Sequence, residues 1–569
     1  VDGPRVLGNE ATLFLELHQG TLCLAYGYGV NEVPGGPSVS QLKVPKEGLK
    51  VKKIRPSPEQ RAPVSCSLGP HNAFGVCPKP DLDDMASTLA GVMKRGASRH
   101  PEPECGALEE LGEYVEKMLP TMFEPLAAGT DVTVETWVLK TNYPEWRKKE
   151  LLDCYYKFLN SGRSRFARRY QLVKFFNKDE PYLEYKFNRG IYSRTDEFKC
   201  FVGPFFKAIE EVVYKHPAFI KHVPVNKRAE YIRELFLGMP GETDATDYTA
   251  FESQFTAKVM KMVEVKLYRY MTQHLPDRKI FWKHLNVLTG KQNCTSKYLD
   301  IELPTCRMSG EMCTSLGNSF SNLMFAMFVA TKKGATEIKI VVEGDDGLLK
   351  HNGAPLLAED FARLGLTIKM EHHDRLETAS FCGLIFDSEE VINLTDPRKV
   401  LTTFGWGDRK YSRSRPGKKL RLLRAKSLSL AWQYPGCPII SELAQYGLRV
   451  TSGVNIGSLN ERSNDWWKRE IGLQAQKDER KLVYRDPGPR SRALVEELWG
   501  VSIEAQLGIE KYLREKTDLG PLRSPWILIN TPIAWSDYAS RFVRYVRPGY
   551  ERIEPFPARP AVTEALMAL

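Results

Sequence analysis

Apolar positions recur at helix spacing along much of the chain. Over 81–95, Met85, Leu89, Val92 and Met93 share one face, which predicts an amphipathic helix. The same period predicts helices over 108–122 and 145–169, the second ending in Arg163, Arg165, Arg168 and Arg169. An apolar run at 235–239 leads through an acidic loop into a long helix predicted over 254 to about 272. Between 337 and 350 the period changes. The runs IKIVV and GLLKH flank Glu343, Gly344, Asp345 and Asp346 and predict a hairpin. A helix over 355–364 and a strand over 366–370 follow, and beyond 397 the chain turns basic and then helical to near 516. Residues 1–60 are rich in Gly and Pro, with Gly27, Gly29, Gly35, Gly36 and Pro37 marking loops. The stretch beyond 525, rich in Pro, Tyr and Arg, fits neither period, and the chain has no internal repeat.

At 569 residues the chain exceeds what one hydrophobic core organises, so several packed subdomains are expected. With 42% hydrophobic and 27% charged residues it reads as globular, neither disordered nor fibrous. The net charge of +11 suits a phosphate-bearing partner, although many unrelated enzymes share it. The 11 cysteines form no CxxC pair, and Cys66, Cys77 and Cys105 match no zinc signature, which predicts free thiols in a reducing compartment. The apolar patch at 323–330 is far shorter than the roughly 18 residues that span a bilayer, so a membrane anchor is expected outside this sequence. The first residue is Val, as in a processed product.

Four constellations carry candidate chemistry. In Glu343-Gly344-Asp345-Asp346-Gly347, acids at a tight turn project together, and like charges so close favour a divalent cation between them. A surface acidic turn would use the same residues. In Asp244-Ala-Thr-Asp247-Tyr-Thr-Ala-Phe-Glu252, carboxylates at a strand end and a helix start can face one cavity, although helix capping would explain them too. In the stretch from Ser309 and Gly310 onward, Thr314, Asn318 and Asn322 form a polar stripe on an otherwise apolar helix. Burying such a stripe is costly without partners, which points to a ligand. Upstream, Lys174, Lys186, Arg189 and Arg194 form a comb of cations suited to a triphosphate, although a solvated face is the commoner fate of each. Between 408 and 426, nine Lys/Arg accompany one acid, a segment fit for a sugar-phosphate backbone or for a nuclear-localisation tract.

In this order the four pieces resemble the catalytic motifs of viral RNA-dependent RNA polymerases over roughly 174–384. Motif F is similar to the stretch from Lys174 to Arg194, with its R-x-I-x-x-R core at Arg189. Motif A resembles Asp247-x4-Glu252, motif B SGEMCTSLGN from Ser309, and motif C Gly344-Asp345-Asp346. LGLTIKM with Lys369 resembles motif D, and Phe381-Cys382-Gly383 motif E. The form of motif B and Tyr434-Pro-Gly-Cys437-Pro resemble the tombusvirus-like and nodavirus-like group. The family carries Asp where this chain has Glu252. Asp244 is a rival first acid, but it would place Thr249 or Ala250 second, which favours Asp247.

The resemblance implies an α+β right hand. It places an N-terminal extension over 1–60, fingers over 61–237 and 256–307, palm over 238–255 and 308–395, thumb over 396–525, and a tail over 526–569. It implies an RNA-directed RNA polymerase copying a positive-strand viral genome, adding rNTPs to an RNA 3′-hydroxyl with release of pyrophosphate. Asp247, Asp345 and Asp346 would hold two Mg²⁺ ions, with Mn²⁺ as a substitute, and Lys369 would protonate pyrophosphate unless it is simply an exposed strand lysine. Lys174, Lys186, Arg189 and Arg194 would clamp phosphates, while Glu252, Ser309, Gly310, Thr314 and Asn318 would bind the nucleotide and read its ribose. Arg413, Arg415, Lys418, Lys419 and Arg421 would meet product RNA. Expected partners are template and product RNA, rNTPs and a membrane-associated replication complex in the host cytoplasm. Tyr538, Phe542, Tyr545 and Tyr550 could form a platform for initiation. A reverse transcriptase would share the paired aspartates but lack Asn318, and a silent RNA-binding factor has no use for acids clustered beside phosphates.

Overall fold

The computed structural model describes residues 49–55, 65–460, 466–536 and 539, together with short strands at Glu16–His18, Thr21–Leu24 and Tyr28–Gly29. Most of 1–60 and the aromatic tail lie outside the described residues. The chain is a mixed α+β structure around two sheets. The first contains β1 (Lys50–Ile54), β2 (Leu172–Asn177), β3 (Gly190–Arg194), β5 (Gln292–Thr295) and β6 (Leu299–Leu303), in the order β1-β6-β5-β2-β3, with β2 and β5 parallel. The second contains β4 (Thr243–Tyr248), β7 (Ile338–Glu343), β8 (Asp346–His351) and β9 (Ile368–His373), in the order β7-β8-β4-β9, and is antiparallel throughout.

The centre of the second sheet is buried on both faces, which is why Ile340, Val341 and Val342 form an unbroken apolar run. Ile340, Val342 and Leu349 join the main core with Leu316, Phe320, Met324 and Phe325 of α6 (Thr314–Lys332). Val341, Leu348 and Ala245 face the other way, onto Ile232 and Phe236 of α2 (Arg228–Phe236) and onto Phe381 and Phe386. Such alternation places successive side chains on opposite faces. Among the described residues from 397 to 536 the chain is largely helical, including α7 (Pro416–Gln433) and α8 (Ile440–Val450). Upstream of both sheets, α1 (Met85–Gly96) is capped by Asp84, whose side chain accepts from the Ser87 N–H.

Several boundaries differ from the periodicity. The long helix over 254–272 is three short ones, α3 (Phe251–Gln254), α4 (Ala257–Met262) and α5 (Glu264–Met271). Thr256 restarts the helix by capping Val259, and Val263 leaves helical geometry at φ −116 and ψ −84. The helix over 145–169 stops at Leu159 because the chain turns at Gly162, φ +62, so the arginines beyond lie on a loop and a 3₁₀ turn. The hairpin is present as expected. Among the described residues every cysteine is a free thiol, and no helix is long and apolar enough to cross a membrane.

One buried ion pair ties these pieces together. Arg307 and Glu264 are each 1% exposed and joined through the Arg307 Nη2, and the Tyr268 hydroxyl donates to the same carboxylate oxygen at 2.8 Å. The guanidinium lies 4.5 Å from the centre of the Phe255 ring. At Gly317 on α6, an added Cβ would sit 2.0 Å from a Glu264 oxygen, so the pair leaves room only for glycine. Removing one partner of a buried pair strands the other charge. Glu264→Ala should therefore lower the free energy of unfolding by about 3–5 kcal/mol, read from denaturant midpoints.

Candidate active site

The hairpin turn owes its shape to Gly344, at φ +65, and its position to α6. The Gly344 N–H donates to Ser319 Oγ at 2.8 Å, and Asn322 Nδ2 donates to the Gly344 carbonyl at 3.3 Å. Asp345 occupies the turn and Asp346 opens β8. Because Gly347 pairs with Thr246, the register sets Asp346 beside Asp247 on the neighbouring strand. Asp244 lies three residues earlier on β4 and therefore on the opposite face. It is buried there, with His372 Nδ1 at 2.7 Å and His351 Nε2 at 3.1 Å. Of the two, Asp247 is the one that lies beside the hairpin acids. Asp244, His372 and Glu242 bring ligand atoms within 4.8 Å of one another, a separate candidate cation set on the far face.

The acids on the near face carry an electrostatic load. Burial raises the Asp346 carboxyl to about 7, and the charges of Asp345, Glu343 and Asp247 add to it. Asp345 is raised as well, by burial and then by Glu252, with Arg189 and Arg95 opposing. Neighbouring carboxylates that resist ionisation are a fitting donor set for a hard divalent cation, which would relieve their repulsion. Asp247, Asp345 and Asp346 are the residues that would hold it.

Glu252, at the start of α3, is buried and shared between two guanidinia. Arg95 Nη1 lies 3.3 Å from each of its oxygens, and Arg189 Nη2 lies 3.5 Å from Oε1. Burial alone would raise this carboxyl, but Arg95 and Arg189 outweigh it and hold it below the usual range. Arg189 Nε is buried and has no hydrogen-bond partner. Arg95, at the end of α1, escaped the sequence reading because no motif contains it; a Lys-Arg pair closing an amphipathic helix was its only trace.

The comb of cations does not point one way. Arg194 is buried, with Nε donating to Glu311 at 2.7 Å, Nη2 to Gln292 at 2.6 Å and Nη1 to the Tyr170 carbonyl at 3.3 Å. Five residues after Arg189, it falls on the inner side of β3 and braces the motif B loop, which corrects the expectation that it clamps phosphate. Lys174 and Lys186 are exposed, and Lys186 lies 5.7 Å from the centre of the Tyr182 ring. Lys369 pairs in register with Asp247, is exposed and bonds Glu371.

The polar stripe on α6 divides its work. Thr314 Oγ1 donates to the Met308 carbonyl at 2.9 Å, and Asn322, fully buried, holds the hairpin turn instead of a ligand. Asn318 Oδ1 accepts from Arg307 Nε at 3.0 Å, so its Nδ2 remains to donate outward. Ser309 Oγ donates to the Gly190 carbonyl at 2.9 Å. Gly310 passes so close to β3 that a Cβ would lie 2.1 Å from the Tyr192 carbonyl oxygen. The backbone N–H of Arg307 also donates to the Glu252 carbonyl at 2.9 Å, joining the ends of motifs A and B.

In the basic segment, Arg413, Arg415 and Arg421 are exposed, while Lys418 and Lys419 are half-buried. Three others serve the fold, Arg409 among them through its pair with Asp83 at 2.8 Å. Arg424 bonds the Leu448 and Thr451 carbonyls and Glu479. Lys426 donates to the carbonyls of Thr403, Phe404 and Trp406, and burial pushes its amine down to about 7.

A carboxyl raised in the folded state stabilises below its ordinary value and loses that contribution as pH rises through its folded value. Without divalent ions, the wild-type chain should therefore lose stability relative to Asp346→Asn between about pH 4 and pH 7, read from melting temperatures in a chelating buffer.

No curated protein sequence matches the chain. A family model described as viral RNA dependent RNA polymerase matches residues 162–515, which include motifs A to F. That span exceeds half of the chain, so this chain belongs to the viral RNA-dependent RNA polymerases and is an RNA-directed RNA polymerase.

Proposed function

We propose that the chain copies a positive-strand viral RNA by two-metal nucleotidyl transfer within a right-hand architecture. The observation that carries this is the convergence of Asp247, Asp345 and Asp346 at one end of the second sheet, beside Glu252 and Arg189. In this reading the second sheet and α6 form the palm, over 238–255 and 308–395. Fingers occupy 61–237 and 256–307, and the thumb 396–525. The form of motif B favours the tombusvirus-like and nodavirus-like group.

Mg²⁺, or Mn²⁺ in its place, held by Asp247, Asp345 and Asp346 would supply an activated 3′-hydroxyl and neutralise the charge of the triphosphate and its leaving group. The chain's own residues do the rest. Arg189, with its free Nε, grips the triphosphate, and Lys174 and Lys186 extend positive potential outward. Asn318 offers Nδ2 to the ribose hydroxyls and Glu252 accepts from them. A hydroxyl left without its partner in such a site is strongly rejected, which favours rNTPs over dNTPs. Lys369, across the strand from Asp247, is positioned to pass a proton to pyrophosphate. Arg413, Arg415 and Arg421 meet the product backbone. Replication takes place in the host cytoplasm, within a membrane-associated complex.

Asp345→Ala should reduce rNTP incorporation on a primed RNA to background while leaving the melting temperature at or above that of wild type. A well-folded variant that still elongates would remove Asp345 from the chemistry. Changing Arg413, Arg415 and Arg421 together to Ala should weaken RNA binding and flatten its salt dependence by about 0.7–0.9 log units per lost phosphate contact. That slope is measured by titrating RNA at several salt concentrations.

A further inference from the structure

We propose that Arg95 is a positioning residue for sugar selection, holding Glu252 in place for the ribose while Arg189 is released to the triphosphate; this rests on the polymerase reading above. The two guanidinia share one carboxylate unequally. Arg95 reaches both oxygens of Glu252 at 3.3 Å, whereas Arg189 reaches one at 3.5 Å and keeps a buried Nε without a partner. An incoming triphosphate competes for guanidinium donors, and Arg189, held by one longer contact and with a buried donor unsatisfied, is the one it draws. Once Arg189 turns to phosphate, Arg95 is the remaining counter-charge for a buried carboxylate.

The rest of the structure keeps Arg95 where it is. At Gly91 an added Cβ would lie 1.9 Å from the Asn188 carbonyl oxygen, so α1 rests directly on the backbone that precedes Arg189. The Asn188 N–H donates to Ser87 Oγ at 2.9 Å, and Asn188 Nδ2 donates to the Asp81 carbonyl at 2.8 Å. Just beyond α1, the His100 ring bonds Ser253 Oγ at 2.6 Å through Nε2 and Thr367 Oγ1 at 2.9 Å through Nδ1. One N-terminal segment therefore touches the backbone of motif F, the residue after Glu252 and the residue that leads into β9. The departure at position 252 follows from this geometry. An aspartate would be about 1.5 Å shorter and would fall away from Arg95, so the longer acid and the distant arginine belong together.

The test is single-nucleotide incorporation of GTP and 2′-deoxy-GTP on a primed RNA by the full chain, comparing wild type, Arg95→Gln, Arg95→Lys and Arg189→Gln. Arg95→Gln should lower the preference for the ribonucleotide by about tenfold or more, mostly through a raised KM for GTP. Arg95→Lys should recover part of it, because it restores the charge without the two-oxygen reach. Arg189→Gln should weaken both nucleotides alike. An unchanged preference in a folded Arg95→Gln, or a loss shared equally by both sugars, overturns the role of Arg95 and leaves the polymerase reading standing. A wild-type chain that adds neither nucleotide overturns that reading and this inference together.

Discussion

The catalytic end of this molecule depends on Arg307. Its side chain neutralises Glu264 in the core, its Nε fixes the amide of Asn318, and its backbone N–H holds the Glu252 carbonyl. Buried pairs are weak evidence of stabilisation, because desolvation cancels most of the attraction. Here the pair supplies direction instead: it sets which end of Asn318 faces the cavity and how far motif B stands from motif A. The glycine at 317 is a consequence of that arrangement, since the ion pair fills the space a side chain would need.

Around this anchor the site balances opposing charges. Asp247 and Asp345, both open to solvent, add their charges to that of the half-buried Asp346, while Glu252 is steadied by two arginines. The same neighbourhood thus holds Asp345 and Asp346, which resist ionisation, and Glu252, five residues after Asp247, which is held firmly ionised. Differences of this kind separate groups that take up cations from groups that accept hydrogen bonds. The two-sided burial of β7 supports the balance by giving the turn a rigid base.

Much of this was legible in the sequence, because the hairpin, the acids at 247, 345 and 346 and the polar stripe on α6 are local patterns. Spacing to Glu252 favoured Asp247 over Asp244 in the sequence, and the strand register puts the two on opposite faces. What escaped was long-range. Arg194 matches its motif but turns inward to Glu311, a contact 117 residues away. Asn322 looked ligand-facing from its spacing, yet it serves the hairpin. The break at Val263 is invisible to a periodicity that the flanking helices both satisfy. Of the nine basic residues between 408 and 426, Arg424 and Lys426 act as braces, a distinction set by carbonyls that only the fold brings near.

The seating of α1 against the Asn188 carbonyl has a practical meaning for anyone cutting this gene. The recognisable stretch begins at residue 162, and α1 ends at Gly96. A fragment trimmed to that stretch would keep every signature acid and still lose the wall on which Glu252 and the Arg189 backbone lean. The family's hallmark therefore covers less of the chain than the packing around Glu252 and the Arg189 backbone, which reaches back to α1 and its cap, Asp84.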